Sequence, residues 1–101
     1  MVKEYFKDIP IMQDIAYCES RNRQFNPDGT VFRGKVNSDD IGVMQINTYY
    51  HADVSEKLDM DIFTTEGNMQ YARRLFEREG TVPWNSSSKC WKPRSNHVAM
   101  K

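Results

Sequence analysis

The 101-residue sequence predicts a single α+β domain that is mostly helical and carries a small β-hairpin. Apolar residues recur at helical spacing in two segments, Ile11–Cys18 and Thr64–Gly80, and these predict the main helices. Between Asn26 and Val36, Pro-Asp-Gly turn chemistry precedes a short β-prone stretch with another glycine, which predicts the hairpin. A chain of this length has room for one modest core, so residues 1–101 are expected to form one domain.

The first helix has a recognisable start and end. Asp8 is predicted to cap it, with Pro10 in the first turn, where the missing N–H costs nothing. The helical pattern ends around Arg21–Arg23. The residues expected to form its apolar stripe are Ile11, Met12, Ile15, Ala16 and Cys18.

The second half of the chain contains a short and a long helical pattern. A short helix is expected near Val54–Leu58, and a longer one should start at Thr64 or Thr65 and end at Gly80. The long helix should bury Met69, Ala72, Leu75 and Phe76. The stretch TVPWNSSSKCW, residues 81–91, is interpreted as a loop leading to a short final element, and the tail 92–101 as loosely ordered.

Charge and composition limit the classes of partner. Lysine and arginine number 14 and aspartate and glutamate also number 14, so no general field recruits nucleic acid or an anionic membrane. No apolar run approaches the length of a membrane span. Cys18 and Cys90 match no zinc-site spacing, and both a long-range disulfide and two buried thiols remain open.

Glu19 lies at an unusual position for a carboxylate. It follows Met12 by seven residues and Ile15 by four, so it lies on the apolar stripe of the first helix, near the end of that helix. Contact with apolar groups disfavours the charged form of a carboxyl group and raises its pKa. A carboxyl group that stays protonated near neutrality can act as a general acid, so Glu19 is the leading catalytic candidate.

Two motifs in order carry a family resemblance. The stretch CES, residues 18–20, is followed after a turn-rich loop by SDDIGVMQIN, residues 38–47. This pair resembles the lysozyme-like superfamily, and in particular its soluble lytic transglycosylase domains, across roughly Ile11–Gly80. The second motif is also similar to that of animal-type lysozymes and of the small transglycosylases that accompany secretion and conjugation machinery. The resemblance implies a lysozyme-like fold with the hairpin beside a catalytic cleft.

The resemblance also implies roles for individual residues. Glu19 matches the catalytic acid, Ser20 the residue beside it, and Asp40 the second carboxylate of animal-type lysozymes. The expected substrate-binding residues are Ser20, Ser38, Gly42, Met44, Gln45 and Asn47, with Tyr49, Tyr50, Tyr71 and Trp84 as candidates for stacking on sugar rings. Alternatives remain open: turn capping for Gln45 and Asn47, a solvated or capping pair for Asp39 and Asp40, and core packing for Tyr71.

The sequence departs from the family pattern in two respects. Two cysteines cannot supply the several disulfides of animal-type lysozymes. Transglycosylase domains usually carry a Tyr-Asn-x-Gly-like element after the last long helix, whereas this chain has Pro83, Trp84, Asn85 and Ser86 there. The far wall of the cleft is therefore expected to differ from that of the family.

The expected function is cleavage of the β-1,4 bond between N-acetylmuramic acid and N-acetylglucosamine in peptidoglycan. A lytic transglycosylase using Glu19 is favoured over a hydrolytic lysozyme using Glu19 and Asp40. Two rival functions come from different classes: a non-catalytic glycan-binding or structural module, and a Cys-His amidase or peptidase using Cys18 and His51. The resemblance implies no metal or organic cofactor.

The expected partners and place of action follow from the same resemblance. Peptidoglycan glycan strands are the expected partner, without nucleic acid, and components of secretion, conjugation or phage assemblies are further candidates. The expected place of action is the bacterial cell wall or periplasm. Met1–Pro10 lacks the plan of a signal peptide, so three alternatives are expected: export by another route, a domain cut from a longer chain, or a protein made for release at lysis, such as a phage-encoded one.

Overall fold

The computed structural model describes residues 1–99, with side-chain surroundings through residue 95, as a mostly helical α+β domain. This coarse class confirms the prediction. The α-helices are α1 (Val2–Tyr5), α2 (Pro10–Ser20), α3 (Thr48–Lys57), α4 (Thr65–Glu79) and α5 (Ser88–Ala99), and a 3₁₀ helix covers Val82–Ser87. A two-stranded antiparallel sheet pairs β1 (Asp40–Ile41) with β2 (Ile46–Asn47). None of the described helices has the length and apolar character needed to cross a membrane.

The start of α2 differs from the prediction in its cap. Pro10 occupies the first turn as expected, but the residue at the N-cap is Ile9, and no described side chain caps the helix. Asp8 instead forms a salt bridge with Arg73 of α4, with 2.9 Å between Asp8 Oδ2 and Arg73 Nη1. This pairing, between residues far apart in the sequence, holds the Asp8 carboxylate away from the α2 N-terminus. At the other end, Arg21 adopts a left-handed conformation with φ of 56° and ends the helix.

The predicted hairpin at Asn26–Val36 was misplaced. That segment forms isolated bridges, Phe25 with Val31 and Arg33 with Ile41, while the paired strands β1 and β2 lie in the following segment. The Asn26 N–H donates to Thr30 O at 2.7 Å, so the Pro-Asp-Gly sequence makes the predicted turn without extending into strands. Turn chemistry alone therefore located a turn but not the sheet.

α4 matches its prediction closely. Thr64 Oγ1 accepts a hydrogen bond from the Gly67 N–H at 3.0 Å and caps the helix, and Gly80 follows its last turn with a positive φ of 63°. The predicted core residues Met69, Ala72 and Leu75 are buried, whereas Phe76 is partly buried against the same cluster.

α3 is longer than the predicted short helix at Val54–Leu58. It starts directly after β2, where Asn47 Oδ1 accepts from the Tyr50 N–H at 3.2 Å. Its first turn carries the exposed aromatic residues Tyr49 and Tyr50. Because these side chains break the amphipathic pattern, the first half of the helix gave no periodic signal.

The region after Gly80 is more regular than predicted. The stretch interpreted as a loop forms the 3₁₀ helix and leads into α5, which is a full helix of 12 residues instead of a short element. α2 packs along α5, and Trp84 and Trp91 join the core. The predicted loosely ordered tail, 92–101, overlaps α5 up to residue 99, and residues 100–101 lie outside the described residues.

Cys18 of α2 and Cys90 of α5 form a disulfide, with 5.9 Å between their Cα atoms. Of the two states left open by the sequence, the structure has the bridged one. The bridge links residues 72 positions apart and crosses the α2–α5 contact. It therefore joins the helix that carries Glu19 to the C-terminal part of the fold.

Removing this disulfide is expected to destabilise the fold by about 4 kcal/mol, because an open chain gains entropy when a loop of this length is released. Urea unfolding of the wild-type protein and of the variant Cys18→Ser/Cys90→Ser measures the difference. The variant also serves as the control, since a reducing agent should destabilise the wild-type protein and leave the variant unchanged. Equal stability of the two proteins under oxidising conditions would contradict the expectation.

Candidate active site

A cleft with a volume of about 300 Å³ lies between the C-terminal end of α2, the hairpin formed by β1 and β2, α4 and the 3₁₀ helix. A cleft of this size falls at the lower end of the range for small-molecule sites. Both predicted catalytic carboxylates line it. The described residues of its wall are Glu19, Asp40, Gln45, Ile46, Asn47, Tyr50, His51, Leu75, Glu79, Pro83, Trp84 and Ser86.

Glu19 lies in the last turn of α2, and its carboxyl group is partly buried in the cleft wall. Burial raises its pKa above the ordinary glutamate value, and the nearby negative charge of Asp40 raises it further. A hydrogen bond with Ser87 acts in the opposite direction and lowers it. The net direction is upward, as the position of Glu19 on the apolar stripe predicted.

Ser87 is placed to accommodate both protonation states of Glu19. Its Oγ lies 2.5 Å from Glu19 Oε2 and 3.1 Å from Trp84 O. When Glu19 is ionised, the single hydroxyl proton can be donated to the carboxylate. When Glu19 is protonated, the carboxyl group can donate to Ser87 Oγ while Ser87 donates to Trp84 O. The hydroxyl therefore has a partner in either state.

Asp40 faces the cleft from β1. Asn47 Nδ2 on the paired strand donates to Asp40 Oδ1 at 3.0 Å, and the Asp40 carbonyl accepts from the Gly34 N–H at 2.9 Å. The amide of Asn47 orients the Asp40 carboxyl group, and the main-chain bond fixes β1 against the preceding loop. The site thus contains two carboxyl groups in different environments, one mainly desolvated and one hydrogen-bonded to an amide.

The main chain between β1 and β2 is held by two buried amide side chains. Gln24 Oε1 accepts from the Val43 N–H at 2.9 Å, and Asn68 Oδ1 accepts from the Met44 N–H at 2.9 Å. Gly42 lies directly against these amides, with a positive φ of 76°, and a Cβ added there would collide with both side chains. Position 42 therefore requires glycine both for its conformation and for this close approach.

Two further hydrogen bonds connect this turn to the helices around the cleft. Ser20 Oγ donates to Val43 O at 2.7 Å, and Trp84 Nε1 donates to Met44 O at 2.9 Å. Ser20 directly follows Glu19, so its bond fixes the end of α2 relative to the hairpin. Trp84 lies in the 3₁₀ helix that also carries Ser87. The turn between β1 and β2 is thus hydrogen-bonded both to the end of α2 and to the 3₁₀ helix, two elements that line the cleft.

Several predicted substrate-binding residues do line the cleft. Gln45 and Asn47 contribute to its wall, and Tyr50 stands exposed at its edge. Trp84 also borders the cleft, but only 2% of its surface is accessible, so its ring packs in the core and is not open for stacking on a sugar. The capping role left open for Asn47 is also present, since its side chain caps α3. Gln45 has a left-handed φ of 55° and donates from Nε2 to Gly42 O.

The other predicted contacts lie elsewhere. Gly42 and Met44 are fully buried in the turn between β1 and β2, so they support the cleft. Ser20 is also buried and bonds to Val43 O, although it lines the adjoining pocket along the loop between α2 and β1. Tyr71 is buried in α4, which agrees with core packing, while Ser38 and Tyr49 are exposed away from the cleft wall. The structure therefore places Gly42, Met44, Tyr71, Ser38 and Tyr49 outside the described wall of the cleft, and contact of these five residues with sugar stays a prediction.

Sequence reasoning missed several residues of the cleft. His51 lines it, and its Nδ1 lies 2.9 Å from Tyr71 Oη, while burial lowers the pKa of its imidazole. Ser87 lies in a serine run whose members look alike in sequence, and no local signal singles it out. The remaining wall residues that were not predicted are Ile46, Leu75 and Glu79, whereas Pro83 and Ser86 belong to the segment that was expected to form the far wall.

A Cys-His amidase or peptidase is the wrong interpretation for this structure. Cys18 is bonded to Cys90, so it has no thiolate with which to attack a carbonyl group. Among the described residues, no group of three histidine, cysteine, aspartate or glutamate side chains is placed to hold a metal ion. The polar groups on the described side chains of the cleft are carboxyl, amide, imidazole and hydroxyl groups.

Comparison with protein-family models, with curated proteins and with solved structures yields no match for this chain.

Replacing Ser87 by alanine is expected to raise the pKa of Glu19 further, because the variant lacks the hydroxyl that stabilises the ionised carboxylate. Carbon-13 NMR titration of the Glu19 side chain measures the change directly. Ser87→Thr keeps the hydroxyl and should retain the wild-type pKa. Ser86→Ala, a neighbouring change in the same cleft, is the matched control. An unchanged pKa in Ser87→Ala would show that the hydroxyl does not interact with Glu19.

Proposed function

We propose that this protein cleaves peptidoglycan at the β-1,4 bond between N-acetylmuramic acid and N-acetylglucosamine, and that it acts as a lytic transglycosylase. The observation that carries the proposal is the partly buried carboxyl group of Glu19, with its raised pKa, in the wall of a cleft that also contains Asp40. The family resemblance of residues 18–20 and 38–47 supplies the substrate class.

In the proposed reaction, protonated Glu19 gives its proton to the glycosidic oxygen as the bond to the muramic acid C1 breaks. The sugar passes through an oxocarbenium-like transition state, and the adjacent negative charge of Asp40 stabilises its positive charge. The C6 hydroxyl of the same muramic acid then attacks C1, and the ionised Glu19 accepts the hydroxyl proton. The products are a 1,6-anhydromuramic end and a free N-acetylglucosamine 4-hydroxyl, and Glu19 is again protonated.

The two protonation states required of Glu19 fit the geometry of Ser87. The hydroxyl group can accept from the protonated carboxyl before bond cleavage and donate to the carboxylate after it. Ser87 does not need to move between the two steps, because only its proton changes direction. This arrangement supports the use of one residue as acid and then as base.

A hydrolytic lysozyme is the second candidate, and the position of Asp40 favours it. A retaining hydrolase needs a second carboxylate near C1 to form a bond or stabilise charge, and Asp40 lines the same cleft as Glu19. In a transglycosylase the nucleophile belongs to the substrate, so Asp40 is needed only for its charge. A non-catalytic glycan-binding module would need neither a poised acid nor its Ser87 partner.

Glu19→Gln is expected to lower the cleavage of purified cell-wall sacculi by about a hundredfold or more, because the amide cannot donate a proton to the leaving oxygen. Release of soluble fragments, followed by mass spectrometry, measures the rate. Glu77→Gln, an exposed change on α4 outside the cleft, is the matched control and should keep full activity. A Glu19→Gln protein that cleaves sacculi at the wild-type rate would refute the mechanism.

Asp40→Asn separates the two candidate reactions. The asparagine can still accept from Asn47 Nδ2, so the fold is preserved while the charge is lost. For a transglycosylase we expect a slower enzyme that still releases 1,6-anhydromuramic ends, which mass spectrometry distinguishes from reducing ends by the loss of one water. Reducing muramic acid ends in the wild-type products, together with complete inactivity of Asp40→Asn, would assign the protein as a lysozyme.

A further inference from the structure

The cleft continues beyond the two carboxylates into a second compartment of about 440 Å³. Glu19, Asp40, Gln45 and Ser86 line both compartments, so the two spaces meet at the proposed catalytic centre. The second compartment extends along the loop between α2 and β1. We call it the basic arm, because its wall contains Arg21, Arg23 and Lys35.

Charge is distributed unequally along the cleft. The first compartment has one acidic residue of its own, Glu79, and no lysine or arginine among its described wall residues. The basic arm has three cationic side chains, and its described wall holds no acidic residue beyond the shared carboxylates. A ligand lying through the cleft therefore meets positive charge on one side of the catalytic centre only.

Arg23 is held in a fixed orientation in the basic arm. Its guanidinium lies 4.3 Å from the centre of the Phe32 ring, and its Nε donates to Ser20 O at 3.0 Å. A guanidinium stacked in this way loses little conformational freedom when it binds a carboxylate through its terminal N–H groups. Arg21 is stacked similarly on Tyr17, at 4.7 Å.

Lys35 is positioned by its loop. The Gly34 N–H donates to Asp40 O, and a Cβ added at Gly34 would lie 2.7 Å from Gln45 Oε1, so the loop packs directly against the cleft wall. The salt bridges found among the described residues, Asp8–Arg73 and Asp14–Arg94, do not involve the basic arm. The three cations therefore face the compartment without a carboxylate partner from the described part of the chain.

We propose that the basic arm binds a carboxylate carried by the muramyl unit of the substrate, either on its lactyl group or on the attached peptide. Acetamido sugars are neutral and give no reason for three cations beside a glycan cleft, whereas the muramyl unit carries carboxylates outside its sugar ring. The identity of the ligand rests on the proposed function, but the selectivity for an anion rests on the charge of the basic arm.

Binding of three soluble disaccharides to the wild-type protein tests this selectivity by isothermal titration calorimetry. The ligands are N-acetylglucosaminyl-N-acetylmuramic acid with a tetrapeptide, the same disaccharide with a free lactyl carboxylate, and neutral chitobiose. All three lack the proposed scissile bond, so binding is measured without cleavage. Tighter binding of one or both acidic ligands than of chitobiose is expected, and comparison of the two identifies which carboxylate is bound.

Lys35→Gln and Arg23→Gln are each expected to weaken binding of the acidic ligand by about fivefold and to leave chitobiose binding unchanged. Lys35 has no hydrogen bond or ion pair to another described side chain, so its variant should fold normally, and thermal unfolding checks Arg23→Gln. Lys57→Gln, an equal change of charge at the end of α3, is the matched control. Equal binding of acidic and neutral ligands by the wild-type protein, or unchanged binding of the acidic ligand by both variants, overturns the inference.

The sacculus assay separates this inference from the proposed function. A protein that cleaves sacculi but shows no preference for acidic disaccharides retains the proposed function and loses the basic arm as a carboxylate site. A protein that prefers acidic disaccharides through Lys35 and Arg23 but does not cleave sacculi retains the basic arm and loses the proposed catalysis.

Discussion

The structure depends on two buried amide side chains that hold the main chain of the hairpin turn. Gln24 and Asn68 approach this turn from the loop after α2 and from α4, and each accepts a hydrogen bond from one of its N–H groups, those of Val43 and Met44. A buried amide without a hydrogen-bond partner would be costly in free energy. The fold is therefore favoured only when the three segments align so that both hydrogen bonds form. Gly42 makes the arrangement sterically feasible. A two-stranded sheet with two residues per strand has little stability of its own, so the hydrogen bonds from Gln24 and Asn68 provide stability that the strand pairing does not.

The placement of Glu19 follows from this constraint. Ser20 binds the same turn, so the last residues of α2 are fixed against the β1–β2 hairpin, and the Glu19 carboxyl group is held in the cleft wall by its hydrogen bond with Ser87. Burial of the carboxyl group has a cost to stability. Because the folded-state pKa of Glu19 is raised, its protonated form favours the folded state, and this contribution is lost as the pH rises through the folded-state pKa. The protein thus keeps, in the wall of the cleft, a carboxyl group whose charged form is disfavoured by burial.

Local patterns predicted the parts of the structure that depend on local physics. α4 was predicted correctly because three local signals indicate the same helix: its apolar stripe, its Thr64 cap and the Gly80 at its end. Glu19 was evident because a carboxylate on an apolar stripe conflicts with the pattern around it. The roles of Gln24 and Asn68 were not predictable, since an amide that binds the main chain 19 or 24 residues away leaves no periodic signal. The sheet was misplaced for a related reason: its position depends on these long-range bonds, whereas the predicted hairpin rested on turn residues alone.

The Cys18–Cys90 bridge links the two segments that bring Glu19 and Ser87 together. Cys18 directly precedes Glu19, and Cys90 follows Ser87 by three residues, so the bridge spans the two segments whose side chains form the acid and its hydroxyl partner. When the bridge is reduced, the spacing between the Glu19 carboxyl group and the Ser87 hydroxyl rests on noncovalent packing alone. The bridge therefore constrains, through the backbone, the spacing between the Glu19 carboxyl group and the Ser87 hydroxyl.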